Sequence, residues 1–391
     1  MRRPWCPLVL LALTVGCGDI VPGAIDAAPG TCVPACDDNA TCTGDTCACD
    51  TGYEGDGLTC TDVNECMTNN GGCDANATCF NTAGGRNCGC NTGYVGDGVT
   101  CRQVWAPRGS AQIRLSNVIT GQTNDANATV VGGNRIYFAP DIGDDGDTSN
   151  HFLRYFDTST MLFNTDVLAI PPAGSSDFCA CGLTEIFVGT NSSLYMFGND
   201  GYHYSPSTNR WTALASYTPA VSRGEAAGAF ETNNGVVFMI GGRGPLNNAI
   251  RFTASTGVVD PEPGTLPFAL ERARAWAPAG NNVTYVAGGL ASDNSRQHFL
   301  RHATGTSTWT TLPDAPADIG NPQGMGDWQG KIWVTTRSNM YFFDMASSTW
   351  GPGITLPGGF ITAVTAGSPS RVFGLFQLGD TLQVQELMAI E

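Results

Sequence analysis

Twelve of the sixteen cysteines of this chain lie between residues 32 and 101, and this concentration constrains the fold more than any other feature. They form two successive sets of six, and each set ends in C-x-C, ten further residues and a last cysteine. The sets also share longer stretches, NATCTGDTCACDTGYEGDGLTC in the first and NATCFNTAGGRNCGCNTGYVGDGVTC in the second. Such dense, even-numbered spacing is typical of small exported domains that depend on disulfides for their stability.

The repeated segment resembles two EGF-like domains in tandem, the first at residues 32–60 and the second at residues 61–101. Six cysteines alone allow many pairings, but the resemblance implies first to third, second to fourth and fifth to sixth. The implied bridges are Cys32–Cys42, Cys36–Cys47, Cys49–Cys60, Cys66–Cys79, Cys73–Cys88 and Cys90–Cys101. Because modules of about 35 residues bury little apolar surface, each bridge is expected to contribute roughly 2–4 kcal/mol.

The stretch DVNEC, residues 62–66, resembles the start of the calcium-binding subclass of EGF-like domains, and CFNTAGGRNC, residues 79–88, continues the similarity. The resemblance implies a calcium site made of three side chains and three backbone carbonyls. The side chains are Asp62, Glu65 and Asn81, and the carbonyls are those of Val63, Thr82 and Gly85. Calcium accepts several oxygen ligands in flexible geometry, and extracellular modules bind it with a Kd of about 10⁻⁴–10⁻³ M.

The second module departs from the calcium-binding pattern at Arg86, where the family usually has Tyr or Phe, so a positive charge stands close to the expected site. The alternative interpretation is that DVNE is a solvated acidic linker. In the first module only four residues separate the third and fourth cysteines, so no counterpart of Asn81 fits and one calcium is expected. The family likeness further implies that Tyr53 packs on Ala83 and Gly84, and that calcium stiffens the joint.

The N-terminal stretch MRRPWCPLVLLALTVGC, residues 1–17, resembles a bacterial lipoprotein signal in which Cys17 becomes lipidated. The alternative is an ordinary secretory signal cleaved near residues 24–27. Residues 18–31 are small and rich in Gly and Pro, as in a flexible linker. Both interpretations predict an extracytoplasmic chain, either a lipoprotein anchored at the outer membrane or cell surface, or a secreted protein.

Beyond residue 101 one strand pattern recurs six times, as NRIYFAP, SSLYMFG, GVVFMIGG, NVTYVAGG, GKIWVTT and SRVFGLF. The aromatic positions of these strands are 40 to 58 residues apart, and a tryptophan follows a polar turn at Trp211, Trp309 and Trp350. Repeated four-stranded units of this length are typical of a β-propeller. Double glycines after two of the strands, at residues 241–242 and 288–289, resemble those of kelch repeats.

The predicted fold class is therefore all-β, with two disulfide-rich EGF-like modules and a six-bladed kelch-type propeller over residues 102–391. The last repeat has only three strands before the chain ends. Its fourth strand is expected to come from the segment QVWAPRGSA, with Trp105 in the tryptophan position. A seventh blade over residues 106–125 would need a longer segment.

The net charge of -16, with Lys331 as the single lysine, excludes nucleic acid as a partner and leaves a lipid anchor as the expected membrane contact. Cys179 and Cys181 flank one residue and are expected to form a strained local disulfide. The acidic stretch DIGDDGDTSN, residues 141–150, partly resembles a calcium loop, but a solvated loop is the favoured interpretation.

Four charged residues stand where inner propeller strands begin: Arg223, Glu225, Arg272 and Arg274. They either line the central pocket and bind an acidic sugar or peptide, or occupy a structural arginine position common in kelch repeats, which is the favoured interpretation. A copper oxidase of the galactose-oxidase type would need a Cys–Tyr crosslink, for which only Cys179 and Cys181 remain.

The sequence thus leads to two hypotheses for function. The first is a non-enzymatic recognition or adhesion protein with an unknown protein or glycan ligand. The alternative is a carbohydrate-active enzyme of the oxidase, epimerase or mutarotase type on the same propeller. A convergent Arg/Glu/His cluster in the central pocket would favour the enzyme, and an apolar or aromatic loop face would favour the binding protein.

Overall fold

The structure, a computed structural model, describes residues 32–114, 126–140, 153–164, 168–169, 186–197, 200–215, 217, 226–316, 319–367, 369–379 and 381–388. These ranges contain strands, turns and two short 3-10 helices, and no α-helix occurs in them. The predicted all-β fold class is therefore confirmed. Among the same residues, no helix is both long enough and apolar enough to traverse a lipid bilayer.

The described residues group into two compact units. One unit holds the described residues up to Gly72 together with Cys79–Asn87, and the other holds Cys73–Thr78 with the described residues from Cys88 onward. The first unit therefore contains all six residues of the expected calcium site. The second contains the propeller.

The cysteine-rich region consists of four two-stranded sheets that pair β1 with β2, β3 with β4, β5 with β6 and β7 with β8. The strands are β1 Ala40–Thr43, β2 Thr46–Cys49, β3 Tyr53–Gly55, β4 Cys60–Asp62, β5 Ala77–Thr82, β6 Gly85–Cys90, β7 Tyr94–Gly96 and β8 Cys101–Gln103. The 3-10 helices are Glu65–Met67 and Asn69–Gly72.

Six disulfides hold these small sheets together, and they join the pairs that the EGF-like resemblance implies. The sulfur atoms of Cys32, Cys36 and Cys42 lie close enough to hold a metal ion, but each of them is already in a bridge. Cys17, Cys179 and Cys181 lie outside the described residues. Few side chains of this region are buried, so covalent cross-links take the place of a hydrophobic core.

Six antiparallel sheets of four or five strands form the blades of the propeller. Blade 6 also contains β9 Trp105–Arg114. The strands of blades 1 to 3 are β10 Ala126–Val131, β11 Arg135–Pro140, β12 Arg154–Asp157 and β13 Leu162–Phe163; β14 Ile186–Gly189, β15 Leu194–Phe197, β16 Gly201–Ser205 and β17 Arg210–Ala213; β18 Ala227–Glu231, β19 Val236–Ile240, β20 Ala249–Thr253 and β21 Val258–Pro261.

The remaining strands complete blades 4 to 6 in chain order. Blade 4 is β23 Arg274–Trp276, β24 Val283–Ala287, β26 Phe299–Ala303 and β27 Trp309–Leu312, beside the small pair β22 Leu270–Glu271 and β25 Leu290–Ala291. Blade 5 is β28 Gly324–Trp328, β29 Lys331–Thr335, β30 Asn339–Asp344, β31 Thr349–Trp350 and β32 Ile354–Thr355, and blade 6 is β33 Phe360–Ala366, β34 Arg371–Leu378, β35 Thr381–Leu387 and β9.

The second strand of each blade carries the repeated aromatic residue that the sequence pattern predicts. Tyr137, Phe238 and Trp333 are among the largest fully buried side chains of the described residues. Every residue of β15 and of β19 is buried. Because these strands lie between the sheets of neighbouring blades, both of their faces are apolar, and the hydrophobic runs replace the alternation typical of a half-exposed strand.

The N-terminal strand β9 closes the ring, which confirms the expected role of QVWAPRGSA. It pairs with β35 near the C-terminus, with Trp105 opposite Leu387. The Trp105 side chain is buried and packs edge-on to Phe376, with ring centroids 5.4 Å apart. A Cβ atom added at Gly374 would lie 2.9 Å from Cζ3 of Trp105, so a side chain larger than glycine would displace the indole. Pairing the two ends of the propeller removes two exposed sheet edges.

A carboxylate between two arginines joins the same strands. Arg371 donates from Nε and Nη2 to the two oxygens of Glu386, both at 2.7 Å, and Arg108 of β9 donates from Nε to Oε2 of the same carboxylate. Burial alone would raise the pKa of Glu386, but the hydrogen bonds and charge of Arg371 and the charge of Arg108 outweigh it and hold that pKa below its usual value. The ionised carboxylate therefore stabilises the closed ring.

We expect Glu386→Gln to lower the free energy of unfolding by about 1–3 kcal/mol at neutral pH, because two arginines lose their charged partner. Since the folded-state pKa of Glu386 is depressed, this stabilisation is present above the unfolded-state pKa of about 4.3 and is lost as the pH falls through the folded-state value. Urea unfolding at neutral and acidic pH measures the difference. Asp200→Asn, at an exposed carboxylate, serves as the control. An equal deficit at both pH values would contradict the assignment.

Candidate functional site

Two of the expected calcium ligands meet in the first compact unit. Asp62 ends β4, and Asn81 lies near the end of β5, nineteen positions later. Asn81 Nδ2 donates to Asp62 Oδ2 at 2.7 Å, and the backbone N–H of Gly84 donates to Asp62 Oδ1 at 2.6 Å. Rotation of the Asn81 amide by 180° presents its carbonyl oxygen on the same side, so both side chains can offer oxygen to one cation.

The third side-chain ligand, Glu65, begins the 3-10 helix Glu65–Met67, whose cap is Asn64. Its atom Oε2 has no contact with solvent and no hydrogen-bond partner among the described residues. A carboxylate oxygen removed from water without a partner is costly, because neither solvent nor protein balances its charge. A bound cation would balance it, so the donor chemistry at Glu65 fits calcium.

The three expected backbone ligands lie on the segments that carry the side chains. Val63 follows Asp62 directly, and its N–H donates to the carbonyl oxygen of Gly52 at 2.9 Å, which leaves its own carbonyl free of that contact. Thr82 ends β5 and Gly85 begins β6, on either side of the turn at residues 83–84. All six expected ligands thus belong to two short segments, residues 62–65 and 81–85.

The joint between the two modules is tight at Gly84. The ring of Tyr53 lies against this glycine, since a Cβ atom added there would be 2.9 Å from Cε2 of the tyrosine. A Cβ atom added at Gly52 would be 2.3 Å from the carbonyl oxygen of Gly84, and both glycines have positive φ. Packing of Tyr53 against this turn, implied by the family likeness, is therefore present.

Arg86, at the position where the family usually has an aromatic residue, lies along the turn at residues 71–72. A Cβ atom added at Gly71 would be 2.4 Å from Cδ of Arg86. Gly71 has a φ of 62° and Gly72 a φ of 76°, so the turn leaves open space over its backbone. The aliphatic part of Arg86 thus covers the glycine turn as an aromatic ring would, and its guanidinium adds the positive charge.

Gly84→Ala is expected to loosen the joint, because the new methyl group adds about 1–2 kcal/mol of left-handed strain and collides with the Tyr53 ring. Limited proteolysis at residues 60–66, in the presence of calcium, should become faster in this variant. The matched control is Gly44→Ala, which has a φ of +56° but no atom within 4 Å of the new methyl group. Equal cleavage of the two variants would show that the Tyr53 contact does not hold the joint.

The propeller encloses a central cavity of about 230 Å³, lined by the inner strands of all six blades. Its wall consists mainly of Ala, Gly, Val and Thr residues, and Arg274 and Asp327 are the charged residues among the described part of the lining. Arg272 is not in this wall, and Arg223 and Glu225 lie outside the described residues. The structure therefore brings one of the four charged residues of the sequence prediction to the cavity.

Asp327 and Trp276, which the sequence analysis missed, form the polar contact of this cavity. The indole Nε1 of Trp276 donates to Asp327 Oδ1 at 2.6 Å and connects the inner strands of blades 4 and 5. Burial raises the pKa of the Asp327 carboxyl, and the hydrogen bond from Trp276 acts in the opposite direction without cancelling this effect. The available signal was the acidic residue within GMGDW, because inner strands otherwise carry small or apolar residues toward the axis.

Three of the four histidines are described, and none of the three lines the central cavity. His203 Nε2 lies 2.9 Å from a serine hydroxyl, and His298 lies between two aspartates. His302 is buried with its Nε2 2.8 Å from Glu262 Oε1. His151 lies outside the described residues. The convergent Arg/Glu/His cluster that would favour an enzyme is therefore not found in the described part of the cavity.

Comparison with known proteins identifies the second cysteine-rich module. A family model described as "EGF domain" matches residues 66–101. Stabilin-2 from Rattus norvegicus is 57% identical over 49 residues, which are 12% of this chain and 3% of that protein. Uromodulin from Rattus norvegicus is 40% identical over 80 residues, 19% of this chain and 12% of that protein. The chain thus spans only a small part of the length of these relatives.

The propeller has a match among solved structures. "Structure of YjhT" superimposes with a TM-score of 0.53 and 14% sequence identity, and the match covers 70% of this chain and 96% of that chain. Likeness at this level of identity shows the fold alone. An EGF domain with several disulfides, joined to a six-bladed propeller, fits an extracellular or cell-surface protein.

Proposed function

We propose that this chain is an extracytoplasmic, lipid-anchored, calcium-binding surface protein that recognises a protein or glycan ligand through its propeller, without catalysis. The observation that carries the calcium assignment is the desolvated, unpartnered Oε2 of Glu65, three residues after Asp62. Direct contact between Asp62 and Asn81 supports it. The kelch-type assignment of the propeller belongs to the same proposal.

Calcium would be held by the side chains of Asp62, Glu65 and Asn81 and by the carbonyls of Val63, Thr82 and Gly85. Its charge would balance the carboxylates of two short segments that otherwise repel each other. Because Gly84 contacts both Asp62 and Tyr53, binding at this site would also restrain the joint between the modules. The ion therefore has a structural role in this proposal.

The anchor and the compartment come from the N-terminal pattern and from the disulfides. Cys17 is the proposed lipidation site and the proposed membrane contact. Six disulfides support an oxidising compartment, because bridges of this kind persist outside the cytoplasm. The domains proposed are the signal at 1–17, the linker at 18–31, the modules at 32–60 and 61–101, and the propeller at 102–391.

A binding role is favoured over catalysis by the wall of the central cavity. Small apolar side chains dominate it, and no histidine or glutamate occurs among its described lining residues. General acid–base chemistry needs proton-transfer groups placed together at the substrate. One half-buried aspartate with an indole partner is better suited to holding a ligand.

We expect calcium to bind the full chain with a Kd of about 10⁻⁴–10⁻³ M in titration calorimetry. Glu65→Gln should weaken binding by at least about tenfold, because affinity depends on the number of charged ligands. Glu54→Gln, which removes an exposed carboxylate of the first module, is the matched control and should leave the Kd unchanged. A calcium Kd unaffected by Glu65→Gln would show that the acidic stretch is a solvated linker.

Recognition is tested on a glycan array with the full chain, in calcium and in chelator. A binding protein should retain the same glycans after washing and release them chemically unchanged, as mass spectrometry would show. Oxidised, epimerised or anomerically equilibrated products, abolished by heat treatment of the protein, would instead support the carbohydrate-active alternative. Failure of the array in both conditions would leave a protein ligand as the form of the proposal to test by cell-surface crosslinking.

A further inference from the structure

The polar groups in the wall of the central cavity are largely used by the protein itself. The hydroxyl of Thr362 donates to the carbonyl oxygen of Gln323 at 2.7 Å, and the hydroxyl of Thr365 donates to the backbone carbonyl of Asp327 at 2.8 Å. These bonds connect the inner strands of blades 5 and 6. They leave fewer groups available to hydrogen-bond a ligand than the composition of the wall suggests.

The Asp327 carboxylate keeps bonding capacity toward the cavity. Its Oδ1 accepts the Trp276 indole N–H, while its Oδ2 accepts no hydrogen bond from any described residue. Oδ2 is also absent from the polar atoms that are both sealed from solvent and unpartnered, so it remains accessible. The carboxyl is half-buried, and burial raises its pKa, which means that its charge is incompletely solvated. A positively charged group is the partner that best balances it.

Trp276 supplies a second element of recognition. Its side chain is half-buried and lines the cavity, and its bond to Asp327 restricts rotation of the indole. The face of an indole attracts cations through its quadrupole, most strongly where water is partly excluded. An aromatic face beside a carboxylate is therefore suited to an ammonium group that has an apolar surface.

Arg274 limits the charge and size of the ligand. It precedes Trp276 by two positions on β23, roughly 7 Å along the strand, and it has interactions of its own. A ligand with several positive charges would be repelled by its guanidinium, whereas one small cationic head at the Asp327 end keeps its distance. The cavity volume of about 230 Å³ also lies below the range of about 300–1,000 Å³ typical of drug-sized ligands.

We propose that the central cavity of the propeller binds a small organic molecule with a single ammonium head, through the Asp327 carboxylate and the face of Trp276. This inference deepens the proposed function, because it rests on the propeller being a binding domain and names a ligand class for its cavity. It does not depend on the calcium site. The net charge of -16 favours the approach of such a cation.

The test uses choline and its uncharged isostere 3,3-dimethylbutan-1-ol, each titrated calorimetrically into the full chain. Choline should bind at least about tenfold more tightly than the isostere, since the two share shape and differ in charge. Asp327→Asn, which keeps the size of the side chain, should weaken choline binding at least about tenfold, and Trp276→Leu should weaken it as well. Asp200→Asn is the control and should bind choline as the natural sequence does.

Three outcomes would overturn the inference: no choline binding at tens of millimolar, equal binding of the isostere, or unchanged choline binding by a folded Asp327→Asn variant. Thermal melting monitors the fold of each variant. If Asp327→Asn does not fold, the comparison of choline with its isostere on the natural sequence still decides. A negative choline result leaves the calcium and glycan measurements untouched, and a negative glycan array leaves choline binding intact.

Discussion

Closure of the propeller depends on one long-range pairing, that of β9 with β35. Without it, the sixth sheet lacks its outer strand and the hydrogen-bonding edge of β35 is exposed. The pairing joins positions more than 270 residues apart, as the contact between Arg108 and Glu386 shows. Trp105 packs into the same blade against Phe376, and Arg371 completes the ion pair, so hydrogen bonds, packing and charge act at one seam. The central cavity exists only because this ring is closed.

The cysteine-rich modules solve the stability problem differently. They have little buried apolar surface, and their six disulfides reduce the conformational entropy of the unfolded chain. At the joint between the modules, Gly52, Tyr53 and Gly84 approach so closely that glycine is required at two positions. Asp62 also contacts this turn, which couples the proposed calcium site to the packing of the joint.

The two candidate sites share a physical logic, since each contains a carboxylate oxygen that the protein does not satisfy. Oε2 of Glu65 is sealed from solvent without a donor, and Oδ2 of Asp327 faces a cavity with little else to bind it. Both arrangements favour a positive charge, a hard divalent ion in the first case and a soft organic cation beside an aromatic ring in the second. The chain is strongly acidic overall, which suits both.

Amino-acid order alone was sufficient for the all-β class, the EGF-like second module, six propeller blades and the closing strand at Trp105, because these features follow from cysteine spacing and from strands that repeat at short range. It also indicated Asp62, Glu65 and Asn81, since a family likeness marks them locally. It did not indicate Asp327 with Trp276, or Glu386 with Arg371 and Arg108. The first pair lies 51 positions apart on different blades, and no local pattern marks either residue. Such side chains meet only when neighbouring sheets are arranged around a common axis, so the closed ring decided which charges face the cavity and which hold the seam.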